Sequence, residues 1–233
     1  AVENHGHIHR PGTSTARHRD GCGNDMRIAR AVNPVPIFLA AVFLMLYLLS
    51  SIPTLAQIPP AALKYRPDLT REAQFVFGLG APVPTLAAQI EQESGWRAGI
   101  TAWDNGRGLA QFMDPTAKWA AERFADLGPA DPYNPKWAMR AMVRLDDFNV
   151  RRAAGNTNCD RWGAGLKAYN AGLGYVQRAQ RRSDQPGAWF GVTEFINAGQ
   201  SSKNFEYSRM YPHWIITKRQ PKYEAWGKGV TCQ

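Results

Sequence analysis

The chain has 233 residues, 44% of them hydrophobic, and a formal net charge of +9. That length allows one core of ordinary domain size and excludes two independent ones. From Gln57 onward 23 Lys and Arg face 16 Asp and Glu. The excess is spread along the chain, with no basic aromatic-rich run, no zinc-ligand spacing and no phosphate-cradling Gly-rich loop, so nucleic acid is not an expected partner.

In chain order, residues 1–34 read as a polar, disordered leader that ends in the basic Met26-Arg27-Ile28-Ala29-Arg30. Met26 would itself make a natural start. His5, His7 and His9 alternate, but a disordered leader lacks the surrounding shell that a metal site needs, and no metal is expected. Residues 35–56 follow as a signal peptide or membrane anchor. The stretch Ala31 to Leu63 carries no charge, and small residues at Thr54-Leu55-Ala56 suit a cleavage site. The strongly apolar Ile37 to Leu49 has the length of a signal h-region, while Val35 to Leu55 just suffices to span a bilayer. The arginines on the N-terminal side send the remainder out of the cytoplasm, to the periplasm or cell envelope. Residues 57–233 are then the exported globular domain.

After the Pro-rich stretch Gln57 to Ala62 the pattern becomes a succession of short amphipathic helices with few strand signals. Pro84 starts a helix over Thr85 to Ser94, with Gly95 as its terminator and Leu86, Ile90 and Glu93 on one face. Glu91 points elsewhere. Thr101 to Phe112, with its Asn-Gly and Gly-x-Gly points, reads as a turn or small hairpin. Asp114-Pro115 and Asn134-Pro135 each read as cap and first residue of a helix, the first to about Phe124 and the second to about Arg152. Asp160 is placed as the cap of a helix that carries Trp162, Leu166 and Tyr169 inward and ends near Gly172. A last helical region covers Asn204 to Lys218. Beyond the hydrophobic segment Cys159 and Cys232 can pair in an exported protein, leaving Cys22 over.

Glu93 is the residue with the clearest chemistry. A carboxyl on an apolar face near a helix end loses solvation as an anion, so its proton affinity rises and it can act as a general acid near neutral pH.

Three stretches in order, Glu93-Ser94-Gly95-Trp96, then Gly108-Leu109-Ala110-Gln111-Phe112-Met113 with Thr116, then Ala168-Tyr169-Asn170-Ala171-Gly172, resemble the successive motifs of the soluble lytic transglycosylase family. The resemblance covers roughly Thr85 to Gln177. It implies a mainly α (α+β) lysozyme-like fold with a groove for the alternating N-acetylglucosamine and N-acetylmuramic acid strands of peptidoglycan. It implies Glu93 as the single catalytic residue, protonating the glycosidic oxygen and then taking the C6 hydroxyl proton of the muramoyl sugar to leave a 1,6-anhydro end. By the same match Ser94 positions Glu93 or substrate, Gln111 and Met113 contact sugar, and Tyr169 and Asn170 orient Glu93 and the sugar acetamido group. No cofactor is implied, and a monomer is expected. Trp96 and Trp103 either stack on sugar or pack inside. The family's C-terminal tyrosine corresponds approximately to Tyr207 in Ser202-Lys203-Asn204-Phe205-Glu206-Tyr207, or to Phe205 under another register. The tail from Trp162 to Cys232 resembles that of transglycosylase-type phage endolysins, which implies an export segment serving lysis; a bacterial housekeeping enzyme of cell-wall degradation could be built the same way. Two other readings remain open: a hydrolytic muramidase that uses Asp104 as second carboxylate, and a non-catalytic wall-binding or virion structural module.

Overall fold

The structure is a computed structural model, and it describes residues 57–232; the expected leader and hydrophobic segment, with Cys22 and the three leader histidines, lie outside them. Among the described residues seven α-helices follow one another: α1 Pro60–Phe77, α2 Val83–Ser94, α3 Asp114–Arg123, α4 Pro135–Arg152, α5 Asn158–Ala171, α6 Leu173–Arg182 and α7 Ser202–His213. The only strand-like pairing among the described residues is a pair of antiparallel bridges, Thr101 with Arg107 and Arg107 with Phe112. The fold is mainly helical, and the expected hairpin sits between α2 and α3.

The core is built around α2. Small and aliphatic residues leave every position from Val83 to Ile90 buried, including the polar Thr85 and Gln89. A helix that is apolar on all sides must be surrounded; α1 and the C-terminal segment pack on it, and α4 reaches it through the Gln89–Asp146 hydrogen bond. Pro60 suits the first turn of α1, where its missing N–H costs no bond, and the helix continues through Pro67 to Gly78, whose N–H closes on the Gln74 carbonyl. The prolines hid this helix from the hydrophobic pattern. α2 ends as expected at Gly95, which takes the left-handed conformation at φ 59°.

Two caps differ from the sequence expectation. Met113, not Asp114, precedes α3, and no side chain caps that helix. Asp114 is its first residue and pairs with Arg107 on the hairpin at 2.6 Å. Thr157, not Asp160, caps α5; its hydroxyl accepts from the Asp160 N–H at 3.0 Å, and Asp160 accepts from the Thr157 N–H at 3.2 Å. Asp160 therefore closes a capping box from the third helical position. Asn134 caps α4 as expected, accepting from the N–H groups of Lys136 and Trp137.

The last helix does not run straight to Lys218. Pro212 lies inside α7, and after His213 the backbone widens into a π-helical stretch, Trp214–Arg219, and then tightens into 3₁₀ turns, Gln220–Trp226. Proline removes an N–H from the ladder, and π-bulges absorb such breaks. The following tail returns to the start of α2, where Val230 N–H donates to Thr85 Oγ1 at 3.0 Å and Gln220 Nε2 donates to the Val230 carbonyl at 2.9 Å. Cys159 and Cys232 are joined in a disulfide. Among the described residues no helix is long and apolar enough to cross a membrane.

Candidate active site

Glu93 stands in the last turn of α2, where the helix leaves the core. Its carboxyl Oε1 accepts a hydrogen bond from the hydroxyl of Tyr211 on α7. Burial pushes this carboxyl up from the ordinary 4.5 to about 8; the Tyr211 bond opposes the shift, and the negative charge of Asp104 adds to it. A carboxyl so placed holds its proton at neutral pH and can deliver it. Burial and the Glu93 charge also push the Tyr211 hydroxyl well above its ordinary range, so it stays a neutral donor.

The neighbouring Glu91 is spent elsewhere. Lys222 pairs with its Oε1, and Tyr223 donates to its Oε2 at 2.5 Å. Tyr223 in turn accepts from Trp96 Nε1 at 2.8 Å. Trp96 is 2% exposed and stacks on Tyr65 at 6.2 Å, so it is a core residue. Trp103 lies at the other extreme, 93% exposed at the tip of the hairpin.

The hairpin and the loop after it form one wall. Gly108 has a φ of 71°, and a methyl group there would collide with the carbonyl of Pro132. Only glycine combines that conformation with so close an approach. Gln111 is also left-handed at φ 49°, and its Nε2 donates to the Gly108 carbonyl at 2.8 Å. Tyr169 on α5 closes the loop from behind, donating its hydroxyl to the Ala110 carbonyl at 2.7 Å and setting its ring edge to Phe112. Burial raises the Tyr169 hydroxyl strongly, and the charges of Glu93 and Asp146 add to the rise, which puts it within electrostatic reach of Glu93.

The remaining positions divide. Met113 is 40% exposed at the foot of α3, and Asn170 is exposed at the end of α5. The Ser94 hydroxyl is buried and donates to the Ile90 carbonyl at 3.4 Å, an ordinary internal helix bond. Tyr207 is 51% exposed with its ring edge on Trp214. Burial, then the Glu93 charge, raises its hydroxyl, which sets it near the site while Tyr211 makes the contact. Tyr211 escaped the motif reading, although it lies four residues beyond Tyr207 and therefore on the same helix face. Asp104 is exposed in its turn and accepts from the Gly106 N–H at 3.2 Å. Among the described residues no group of three or more His, Cys, Asp or Glu is placed to hold a metal.

Comparison with known proteins meets this geometry. Residues 79–190, from just after α1 to Phe190, match the family described as "Transglycosylase SLT domain". Two proteins described as "Membrane-bound lytic murein transglycosylase F" are similar to it. That of Shewanella frigidimarina is 28% identical over 129 residues, covering 53% of this chain and 26% of the relative. That of Shewanella denitrificans is 27% identical over 129 residues, covering 53% of this chain and 25% of the relative. The chain thus spans about a quarter of the length of these relatives.

Proposed function

We propose that this protein is a peptidoglycan lytic transglycosylase that cleaves the β-1,4 bond between N-acetylmuramic acid and N-acetylglucosamine through Glu93 alone. The observation that carries the reading is the desolvated Glu93 carboxyl, raised to about 8 and held by Tyr211, in a domain of the transglycosylase SLT family. Glu93 gives its proton to the glycosidic oxygen as the C1–O bond breaks. The carboxylate left behind takes the proton of the muramoyl C6 hydroxyl as that oxygen bonds to C1. The carboxyl returns to its starting form, no water is consumed, and the sugar is left as a 1,6-anhydro end. Gln111, Met113 and Asn170 stand as the sugar contacts, Tyr169 and Ser94 as supports of the loop and helix end. This chemistry belongs in the cell envelope, reached through the export segment before Gln57, and the tail's likeness to phage endolysins fits a role in lysis.

Hydrolysis with Asp104 as base is the second reading, because Asp104 is the carboxylate whose charge acts on Glu93. Two-carboxylate hydrolysis needs a second group free to activate water, and one oxygen of Asp104 is engaged by its own turn. The deciding experiment is mass spectrometry of muropeptides released from purified peptidoglycan by the wild type, Glu93→Gln and Asp104→Asn. Transglycosylation predicts products lighter by one water than the hydrolytic ones, resistant to borohydride, lost in Glu93→Gln and retained in Asp104→Asn. Reducing ends that vanish in Asp104→Asn establish the hydrolase, and no products from folded wild type establish a binding module.

A further inference from the structure

The face of α4 turned to the core carries Met139, Met142 and Val143, all fully buried, and then Asp146, equally at 0% exposure. An aspartate thus holds a core position of a helical stripe, i+3 and i+4 from aliphatic neighbours. A buried carboxylate is costly unless it is paired with a cation or richly hydrogen-bonded. Asp146 has one bond: Gln89 Nε2 donates to its Oδ1 at 3.2 Å. Gln89 is itself fully buried and lies on α2 four residues before Glu93, one turn below it.

The other atoms of these two groups, Gln89 Oε1 and Asp146 Oδ2, are buried and without a hydrogen-bond partner among the described residues. With Asp146 ionised both are acceptors and nothing joins them. With Asp146 protonated, Oδ2–H becomes a donor and Gln89 Oε1 its acceptor, so the two groups satisfy each other through two parallel bonds.

We propose that Asp146 keeps its proton throughout the reaction and is a positioning residue for Glu93, closing an acid–amide pair with Gln89 that fixes α2 on α4 one turn below the catalytic carboxyl. The inference rests on the reading of Glu93 as the acid/base. Among the described residues the ionisable groups coupled to Asp146 by charge are Glu93 on α2, Asp147 on its own helix, Tyr169 on α5 and Tyr211 on α7. None is a cation. Burial pushes the Asp146 carboxyl well above the carboxylate range, the Gln89 bond opposes this, and the Glu93 and Asp147 charges add to the rise. Two carboxyls whose charges act on each other share protons unless one is fixed. The amide fixes Asp146, and Glu93 is left as the carboxyl that titrates.

The test reads the proton directly and then its consequence. In full-length protein labelled at the aspartate carboxyl carbon, with Asp146→Asn as assignment control, the Asp146 resonance should stay at the carboxylic-acid position across the range in which the protein is folded. Asp146→Asn supplies the same two bonds from an amide, so its kcat should stay within about twofold of wild type and the alkaline limb of its pH profile should not move. Asp146→Ala removes both bonds, and kcat should fall on the order of tenfold to a hundredfold with KM nearly constant. A carboxylate resonance at neutral pH, or a limb that moves to lower pH in Asp146→Asn, overturns the proposal. If instead Glu93→Gln keeps full activity, the reading of Glu93 fails, while the resonance still reports whether Asp146 holds its proton.

Discussion

Tyr211 donates its hydroxyl to Glu93 Oε1 across 118 positions of chain, joining α7 to the last turn of α2. Burial raises the proton affinity of Glu93, and this bond restrains it by favouring the charged form. The two effects leave the carboxyl near 8, where it can both give a proton and take one back at neutral pH.

Tyr211→Phe keeps the ring and removes the restraint. The affinity of Glu93 for its proton then rises, so the alkaline limb of kcat/KM should move to higher pH by on the order of one unit, the equivalent of one charge-assisted hydrogen bond. Activity at neutral pH should fall roughly tenfold to a hundredfold because the recovered carboxylate is held less well as base. A pH–rate profile of the variant decides this, and a limb that stays in place refutes the assigned role. Tyr207→Phe should leave the limb nearly unmoved.

The raised proton affinity of Glu93 weakens the fold. Glu93 binds its proton up to about 8 in the folded protein against 4.5 ordinarily. Between those values the folded state therefore holds more protons than the unfolded chain, and stability falls as pH rises from about 4.5 to about 8. The loss is complete above 8 and is at most on the order of 5 kcal/mol. Glu93→Gln cannot ionise, so denaturation curves at acid and alkaline pH should show it gaining on wild type as pH rises. Parallel curves for the two proteins would contradict the raised affinity. Some slope should persist in the variant, since Asp146 is shifted in the same direction.

How much of this was legible depended on how local the signal was. The α2 helix and its Glu93 could be read because Pro84, the apolar spacing and Gly95 all lie within 12 residues. The hairpin was marked by its own glycines. α1 was hidden by Pro67 in a helix interior, where local propensity is overruled by packing. The caps of α3 and α5 were misplaced because an aspartate near a helix start has several uses: Asp114 pairs with Arg107, and Asp160 completes a box behind Thr157. Tyr211 and Asp146 depend on contacts between distant segments.

Gly108 is the position in the loop where a single methyl should do most harm. Its left-handed φ and the nearby Pro132 carbonyl act together, so Gly108→Ala should lose about 2–4 kcal/mol of stability. Activity should fall further than stability explains, because Gln111 bonds to the Gly108 carbonyl and Tyr169 to that of Ala110. Gly191 is the control: its φ is 78° but a methyl there meets nothing within 4 Å. Gly191→Ala should lose about 1–2 kcal/mol by strain alone and keep its activity. Paired unfolding curves and kcat values separate the two, and equal losses would show that the Pro132 approach is unimportant.

The disulfide of Cys159 and Cys232 ties the tail to the first turn of α5 across 73 residues. Closing a loop of that length restricts the unfolded chain by about 4 kcal/mol in the entropic account. The tail is also held by Thr85 and Gln220, whose bonds to Val230 are buried at the start of α2, so the native arrangement should survive reduction. Reductant, or the double substitution Cys159→Ser with Cys232→Ser, should therefore lower Tm by roughly 10 °C. kcat at room temperature should change little, because Thr85 lies two helical turns from Glu93. Melting curves with and without reductant, read beside kcat, test both halves. An unchanged Tm would mean that the buried bonds of Thr85 and Gln220 alone hold the tail, and a collapse of kcat would mean that the tail controls the position of α2 as far as Glu93.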